Sequence, residues 1–141
     1  MKKQFRTIIR EHVFKMIYQY ELLGDSYNTV PKTYWLSEEE NNKNVVNEAN
    51  ELFLNIAKNK DLLDNLYKDK LKDGWTFERI GIIEKCILRA ALYELLNTKT
   101  PIYAINNDYG QIAKNYTDDK IASFIRGIIA AVEEEEKVKN K

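Results

Sequence analysis

The chain has 141 residues, of which 44% are hydrophobic and 31% are charged, and its mean hydropathy is −0.54. This size and apolar content suit about one globular domain, and no apolar run reaches the ~20 residues that a membrane span needs. Charged residues interrupt the apolar stretch near the N-terminus, and Cys86 is the single cysteine. Neither a signal peptide nor a disulfide framework is therefore indicated, and we expect a protein of the reducing cytoplasm.

The formal net charge is +0, from 22 basic and 22 acidic residues, yet the charges are segregated along the chain. Five basic residues lie within the first fifteen positions against the single acid Glu11: Lys2, Lys3, Arg6, Arg10 and Lys15. The opposite end carries four consecutive glutamates, Glu133 to Glu136. A nucleic-acid site would therefore have to come from local charge and not from the total.

Helical spacing of apolar residues begins in the first predicted helix, which Gly24 is expected to end. Its apolar stripe consists of Phe5, Ile9, Val13, Met16, Tyr20 and Leu23. Residues 25–36 are predicted as a loop. Ser37, with Glu40 three residues later, has the pattern of a capping box and predicts that the next helix begins there.

Two shorter helices are predicted at about residues 45–56 and 62–71 from their apolar periodicity. Thr76 is then the expected N-cap of a long helix that runs to about residue 96, with Trp75 packing back on its first turn.

The last two helices are predicted from residues that are typical of helix N-termini. Pro101 suits a first helical position, and Thr117 is the expected cap of the final helix, where two aspartates follow it. The sequence therefore predicts an all-α fold of six to seven helices. We expect a single domain over 1–141, with one helical half at about 1–73 and another at about 74–137.

No catalytic or metal site is predicted. His12 lies at the edge of the first apolar stripe and is expected to be a half-buried packing residue, and Cys86 is expected to behave as a small apolar group. A Cys–His pair would lack an acidic orienting residue, and the isolated glycines form no phosphate-binding loop. The run Glu133 to Glu136 is interpreted as a solvated helix face.

The first helix is the segment that carries chemistry. Lys3, Arg6 and Arg10 fall within an arc of about 60° beside the apolar stripe, and Tyr18 lies about one turn further round. Clustered cations attract phosphates, and an adjacent aromatic ring offers a surface on which an unstacked base can stack. An ordinary solvated face of an amphipathic helix remains the alternative.

Residues 75–95 carry the pattern W-x-x-E-R-I-x-x-I-E-K-x-I-L-R-x-A-x-Y-E-L. This stretch resembles the signature helix of the NusB family. Arg10-Glu11, followed by Tyr18-x-x-Glu21-Leu22, is similar to that family's arginine-rich first helix. A third block falls where the family's downstream segment lies, with Pro101, Ala104, Ile105, Asn107, Asp108, Ile112 to Lys114, Phe124, Ile125 and Gly127.

The resemblance implies two small helical bundles that bind a boxA-type single-stranded RNA element on leader and ribosomal RNA transcripts. It implies NusE, which is also a ribosomal small-subunit protein, as the partner. The pair would join an RNA polymerase complex that suppresses termination. No catalysis and no cofactor are implied, and because some relatives self-associate, a homodimer is possible for this chain.

The resemblance also implies roles for individual residues. The residues expected to bind RNA are Lys2, Lys3, Arg6, Arg10, Tyr18 and Phe124. Glu78 and Glu84 are expected to lie on the helix that contacts NusE, although pairing with nearby Arg79 or Lys85 would also explain them. Four further residues are expected in the core: Ile80, Ile83, Leu88 and Tyr93.

The chain departs from the family pattern at four positions, where it has Ser123, Arg126, Asp108 and Tyr109. Its N-terminal basic cluster is also thinner, which favours a second hypothesis: a NusB-fold adaptor that binds proteins and has weak or lost RNA binding. A similar helical domain precedes the catalytic domain of some ribosomal RNA cytosine methyltransferases. We expect 141 residues to leave no room for such a domain.

Overall fold

A computed structural model describes residues 2–24, 26–71 and 74–139, with side chains described from Phe5 onward. These described residues form seven α-helices and two short 3-10 helices, and they contain no β-strand. The predicted all-α fold class is therefore confirmed. In the same ranges, no helix combines the length and the apolar character that a membrane crossing requires.

The chain divides into two compact units, Met1–Asn59 and Lys60–Lys141. The helices of the first unit are α1 (Lys2–Leu23), α2 (Val30–Tyr34), a 3-10 helix (Trp35–Ser37) and α3 (Lys43–Lys58). The expected loop at 25–36 is therefore only partly a loop. The division falls at Asn59, whereas the sequence placed it near residue 73. The grouping of both units into one domain stays a prediction.

In the first unit, α1 packs against α3. Val13 and Met16 of α1 and Phe53 of α3 are fully buried, and the ring of Tyr20 meets that of Phe53 edge-on at 6.0 Å. The helix ends as predicted at Gly24, whose φ of 68° is in the left-handed region that favours glycine.

The start of α3 differs from the prediction. Ser37 ends the 3-10 helix, where its hydroxyl donates to the carbonyl of Tyr34, and residues 38–42 are not helical. The cap is Asn42, whose side-chain oxygen accepts the Asn44 N–H at 2.9 Å. The predicted capping box at Ser37 is wrong because its glutamate, Glu40, contacts His12 instead.

The second unit contains α4 (Lys60–Tyr67), a 3-10 helix (Lys68–Lys70), α5 (Ile82–Asn97), α6 (Ile102–Tyr116) and α7 (Asp119–Lys139). Helix α5 packs against α4, α6 and α7. Every residue from Cys86 to Leu92 is at most 2% exposed, as expected for a helix that is surrounded by others. Of the residues expected in the core, Ile80 and Leu88 are buried, whereas Ile83 and Tyr93 are only half-buried.

A buried ion pair joins α4 to α5. The Arg89 guanidinium donates to both carboxylate oxygens of Asp64, at 2.8 and 2.9 Å, and both residues are at most 4% exposed. The Tyr67 hydroxyl donates to the same carboxylate at 3.2 Å. Burial, reinforced by the Asp64 charge, raises the pKa of Tyr67 above its ordinary value. These bonds explain why α4 belongs to the second unit.

Helix α5 starts later than predicted. Residues 77–79 form a turn, and α5 begins at Ile82 after Gly81, whose N–H donates to the Glu84 carboxylate at 2.9 Å. Thr76 is therefore not its cap. Trp75 contacts the ring of Phe124 rather than the first turn of a helix at Thr76.

The ends of α6 and α7 also shift by one or two residues. Pro101 is the N-cap of α6 and lies one position before its first helical residue. Thr117 closes α6, because its hydroxyl donates to the Ala113 carbonyl at 2.5 Å. The cap of α7 is Asp118, whose carboxylate accepts the Ile121 N–H at 2.8 Å.

Candidate nucleic-acid interface

Among the basic residues of α1 whose side chains the structure describes, Arg6 is the most exposed. Its side chain is 56% exposed, and Nη1 lies 3.4 Å from the Glu48 carboxylate of α3. The guanidinium also lies 5.8 Å from the centre of the Phe5 ring. An exposed pair of this length is weak and can exchange its partner for a phosphate. The side chains of Lys2 and Lys3, also expected to bind RNA, lie outside the described residues.

Arg10 is not at the surface, which corrects the expectation that it lies beside the core. Only 6% of the residue is exposed. At 100° per residue, Val13, Phe14 and Ile17 fall within about 60° of Arg10, and all three are at most 2% exposed. Arg10 thus lies inside the buried arc of α1, where its side chain is not exposed to a phosphate.

Tyr18 is half-buried, with its ring 6.4 Å from that of Phe14.

A polar cluster lies further along the first unit, and the sequence did not predict it. His12 Nδ1 lies 2.8 Å from the Tyr34 hydroxyl, and Nε2 lies 3.1 Å from the Glu40 carboxylate. Lys15, counted with the basic residues, pairs with Glu38 at 3.3 Å. This cluster closes the segment between α2 and α3 over α1 and reduces the positive charge available there.

Phe124, the predicted aromatic of the second unit, lies on the second turn of α7 and is half-buried. The ring of Trp75 covers it, with the centroids 5.5 Å apart and the planes tilted by 39°. Trp75 itself remains 43% exposed. This pair could not be predicted from the sequence, because 49 positions separate the two residues and helical patterns report only local spacing.

Basic side chains surround another ring in the same unit. The ammonium groups of Lys68 and Lys85 lie 4.5 and 4.3 Å from the centre of the Phe77 ring. Lys120 is exposed on α7, one turn before Phe124. The second unit therefore carries aromatic and cationic groups of its own.

The two glutamates expected to bind NusE differ in their surroundings. Glu78 is exposed, but it lies in the turn before α5 and not on the helix, which corrects its placement. Glu84 is half-buried, and its carboxylate caps the N-terminus of α5 through the Gly81 N–H. Glu84 thus has a structural role that is independent of a partner, whereas Glu78 remains available to one.

Three of the four residues that depart from the family pattern are buried or pack against neighbouring helices in this chain. The Tyr109 hydroxyl donates to the buried Glu94 carboxylate, which also accepts from Thr100 at 3.2 Å, and Asp108 is buried as well. Arg126 lies across Gly110: a Cβ at Gly110 would be 2.4 Å from the guanidinium. The fourth, Ser123, is exposed on α7.

The residues considered for catalysis lie in the core or in polar contacts that do not form a catalytic group. Cys86 is buried in α5, and His12 is held in the polar cluster of the first unit. Among the glutamates of the C-terminal run, Glu133 and Glu135 pair with Lys137 and Lys139 one turn on. Within the described ranges, no three His, Cys, Asp or Glu side chains are grouped so that they could hold a metal ion.

Comparison with known proteins identifies the family. The model of the NusB family matches residues 7–134. The transcription antitermination protein NusB of Fusobacterium nucleatum subsp. nucleatum is 31% identical over 137 residues, covering 92% of this chain and 89% of the relative. The NusB of Macrococcus caseolyticus is 31% identical over 136 residues, covering 96% and 98%.

Solved structures share the fold. The crystal structure of T. maritima NusB superposes with a TM-score of 0.81 at 27% identity, covering 92% of this chain and 91% of that one. A complex of the antitermination factors NusB and NusE with double-stranded RNA contains a chain with a TM-score of 0.84 at 22% identity, covering 94% and 98%. On the family match and the full-length relatives, this chain belongs to the NusB family.

Proposed function

We propose that this protein is a transcription antitermination factor, which binds a boxA-type single-stranded RNA element together with NusE and joins an RNA polymerase complex. The observation that carries the proposal is the family match over residues 7–134, with relatives 31% identical that are transcription antitermination proteins. A protein of the same fold forms a complex with NusE and RNA, which supports both partners. The site of action would be the cytoplasm.

The chemistry of the described surface supports RNA binding more than it supports catalytic activity. Arg6 can release Glu48 and pair with a phosphate, since both side chains are exposed. The half-buried ring of Tyr18 and the paired rings of Trp75 and Phe124 can contact bases, and Glu78 can pair with a basic side chain of NusE. No catalytic step is proposed. The preference for single strands rests on the aromatic rings, because stacking needs an unpaired base.

A protein-interaction adaptor with weak RNA binding is the second candidate. It is favoured by the burial of Arg10 and by the pairing of Arg6 with Glu48 and of Lys15 with Glu38. These contacts leave the first helix with fewer available cations than its sequence suggests.

Fluorescence anisotropy with a labelled boxA-like RNA, alone and with NusE, separates the two candidates. Antitermination predicts sequence-selective binding that NusE tightens. Arg6→Ala should then flatten the plot of log affinity against log salt by about 0.7. Lys32→Ala, which removes an exposed lysine of α2, is the matched control and should leave the slope unchanged. Equal affinity for a scrambled RNA, with NusE still bound, would favour the adaptor.

A further inference from the structure

Trp75 is a large aromatic side chain that the fold leaves partly uncovered. One side of its ring packs on Phe124, yet 43% of the residue remains exposed. Trp75 follows Gly74, whose φ of 88° is in the left-handed region. A side chain that only had to cover Phe124 could be smaller, so the exposed ring surface invites a functional explanation.

A cation is held beside this ring. Arg79 is exposed, and its Nη1 donates to the Gly74 carbonyl at 3.3 Å. Because a carbonyl is neutral, this bond holds the guanidinium in place without cancelling its charge. Gly74, Trp75 and Arg79 together line an open depression of about 510 Å³. An aromatic face next to a cation matches what one nucleotide of a single strand offers, a planar base and a phosphate.

We propose that the exposed face of Trp75 stacks on one unpaired base of the bound RNA, with Phe124 supporting the ring from beneath and Arg79 pairing with an adjacent phosphate. The proposal rests on the proposed RNA-binding function and assigns it a contact within the second unit. Trp75 is the residue that touches the base. Phe124 acts through it as a positioning residue.

The two parts of the contact have different signatures in binding. Trp75→Leu keeps an apolar group on Phe124 but removes the broad ring, and it should weaken RNA binding about 5- to 150-fold, the range for losing one stacked base. It removes no charge, so the salt slope should stay unchanged. Arg79→Gln should instead flatten the salt slope by about 0.7.

Fluorescence reports the contact directly, because the chain has 2 tryptophans and the other is Trp35. Trp35 is half-buried in the first unit and donates to Asn50 at 2.7 Å. In the Trp35→Phe protein the emission comes from Trp75 alone. Titration with boxA-like RNA should quench it, and an RNA with abasic sites should quench it less. The Trp75→Leu protein, which reports Trp35, is the matched control and should show no quenching.

The outcomes separate the contact from the function. If the RNA binds by anisotropy while Trp75 emission and the affinity of Trp75→Leu are unchanged, the stacking proposal is overturned and the proposed function stands. If NusE alone changes Trp75 emission and RNA adds nothing, the ring is a protein contact and the proposal is again overturned. A wild-type protein that binds RNA without selectivity would overturn the proposed function itself.

Discussion

Asp64→Ala should destabilise the second unit strongly, because it leaves the Arg89 charge buried. Arg89 is 2% exposed and Asp64 4%, and two hydrogen bonds of 2.8 and 2.9 Å join them. Removing one partner of a buried ion pair costs about 3–5 kcal/mol. For a chain of this size, that corresponds to a decrease in Tm of roughly 10–20 °C.

Urea and thermal unfolding followed by circular dichroism measure this change. Asn65→Ala, at the next and exposed position of α4, is the matched control and should shift the free energy of unfolding by at most about 0.5 kcal/mol. Replacing both partners with apolar residues, Asp64→Leu with Arg89→Met, should recover much of the loss. An Asp64→Ala protein as stable as the control would refute the reasoning that this pair holds α4 to α5.

Three further predictions follow from contacts within single units. Arg10→Ala should lower the free energy of unfolding by at least about 1–3 kcal/mol, because it truncates a buried polar side chain. Arg6→Ala should lower it by at most about 1 kcal/mol, because Arg6 makes only an exposed ion pair. Urea titrations of both variants measure the difference. Gly110→Ala should gain more of the helix-propensity benefit of about 1 kcal/mol in an Arg126→Ala background, where its Cβ meets no guanidinium, than in the native chain, where the Arg126 side chain must first shift. A double-mutant cycle that shows no coupling would contradict this. Because the raised pKa of Tyr67 keeps its proton in the folded state while an unfolded phenol loses it near pH 10, stability should fall as the pH rises above about 10. Tyr67→Phe should reduce that fall, and an equally steep decline in both proteins would contradict the assignment.

Much of the fold could be predicted because an amphipathic helix shows its apolar spacing within a short stretch of sequence. Gly24 ends α1 as expected, since a left-handed residue at that position both satisfies the helix terminus and tolerates the positive φ. Capping residues were less reliable. Ser37 and Thr76 have the right chemistry for N-caps, but Ser37 ends a 3-10 helix and Thr76 precedes a turn. Asn42 and Gly81 therefore occupy the cap positions instead.

The candidate site was predicted least well where burial decides. Arg10 has the same sequence spacing from the apolar stripe as a surface cation would have, because a residue on the edge of a stripe is exposed or buried according to what packs there. Phe14 and Ile17 widen the buried arc of α1 so that Arg10 lies within it. The pairing of Trp75 with Phe124 depends on how the turn before α5 meets α7, which no local pattern encodes.

Termination read-through in a reconstituted transcription reaction tests the central claim most directly. The reaction would contain RNA polymerase, NusE and the other components of the antitermination complex, with a template that carries a boxA element upstream of a terminator. We predict that this protein increases read-through on that template, and that it does so less when the boxA sequence is scrambled. Equal read-through with and without the protein, under conditions where a NusB relative is active, would contradict the account.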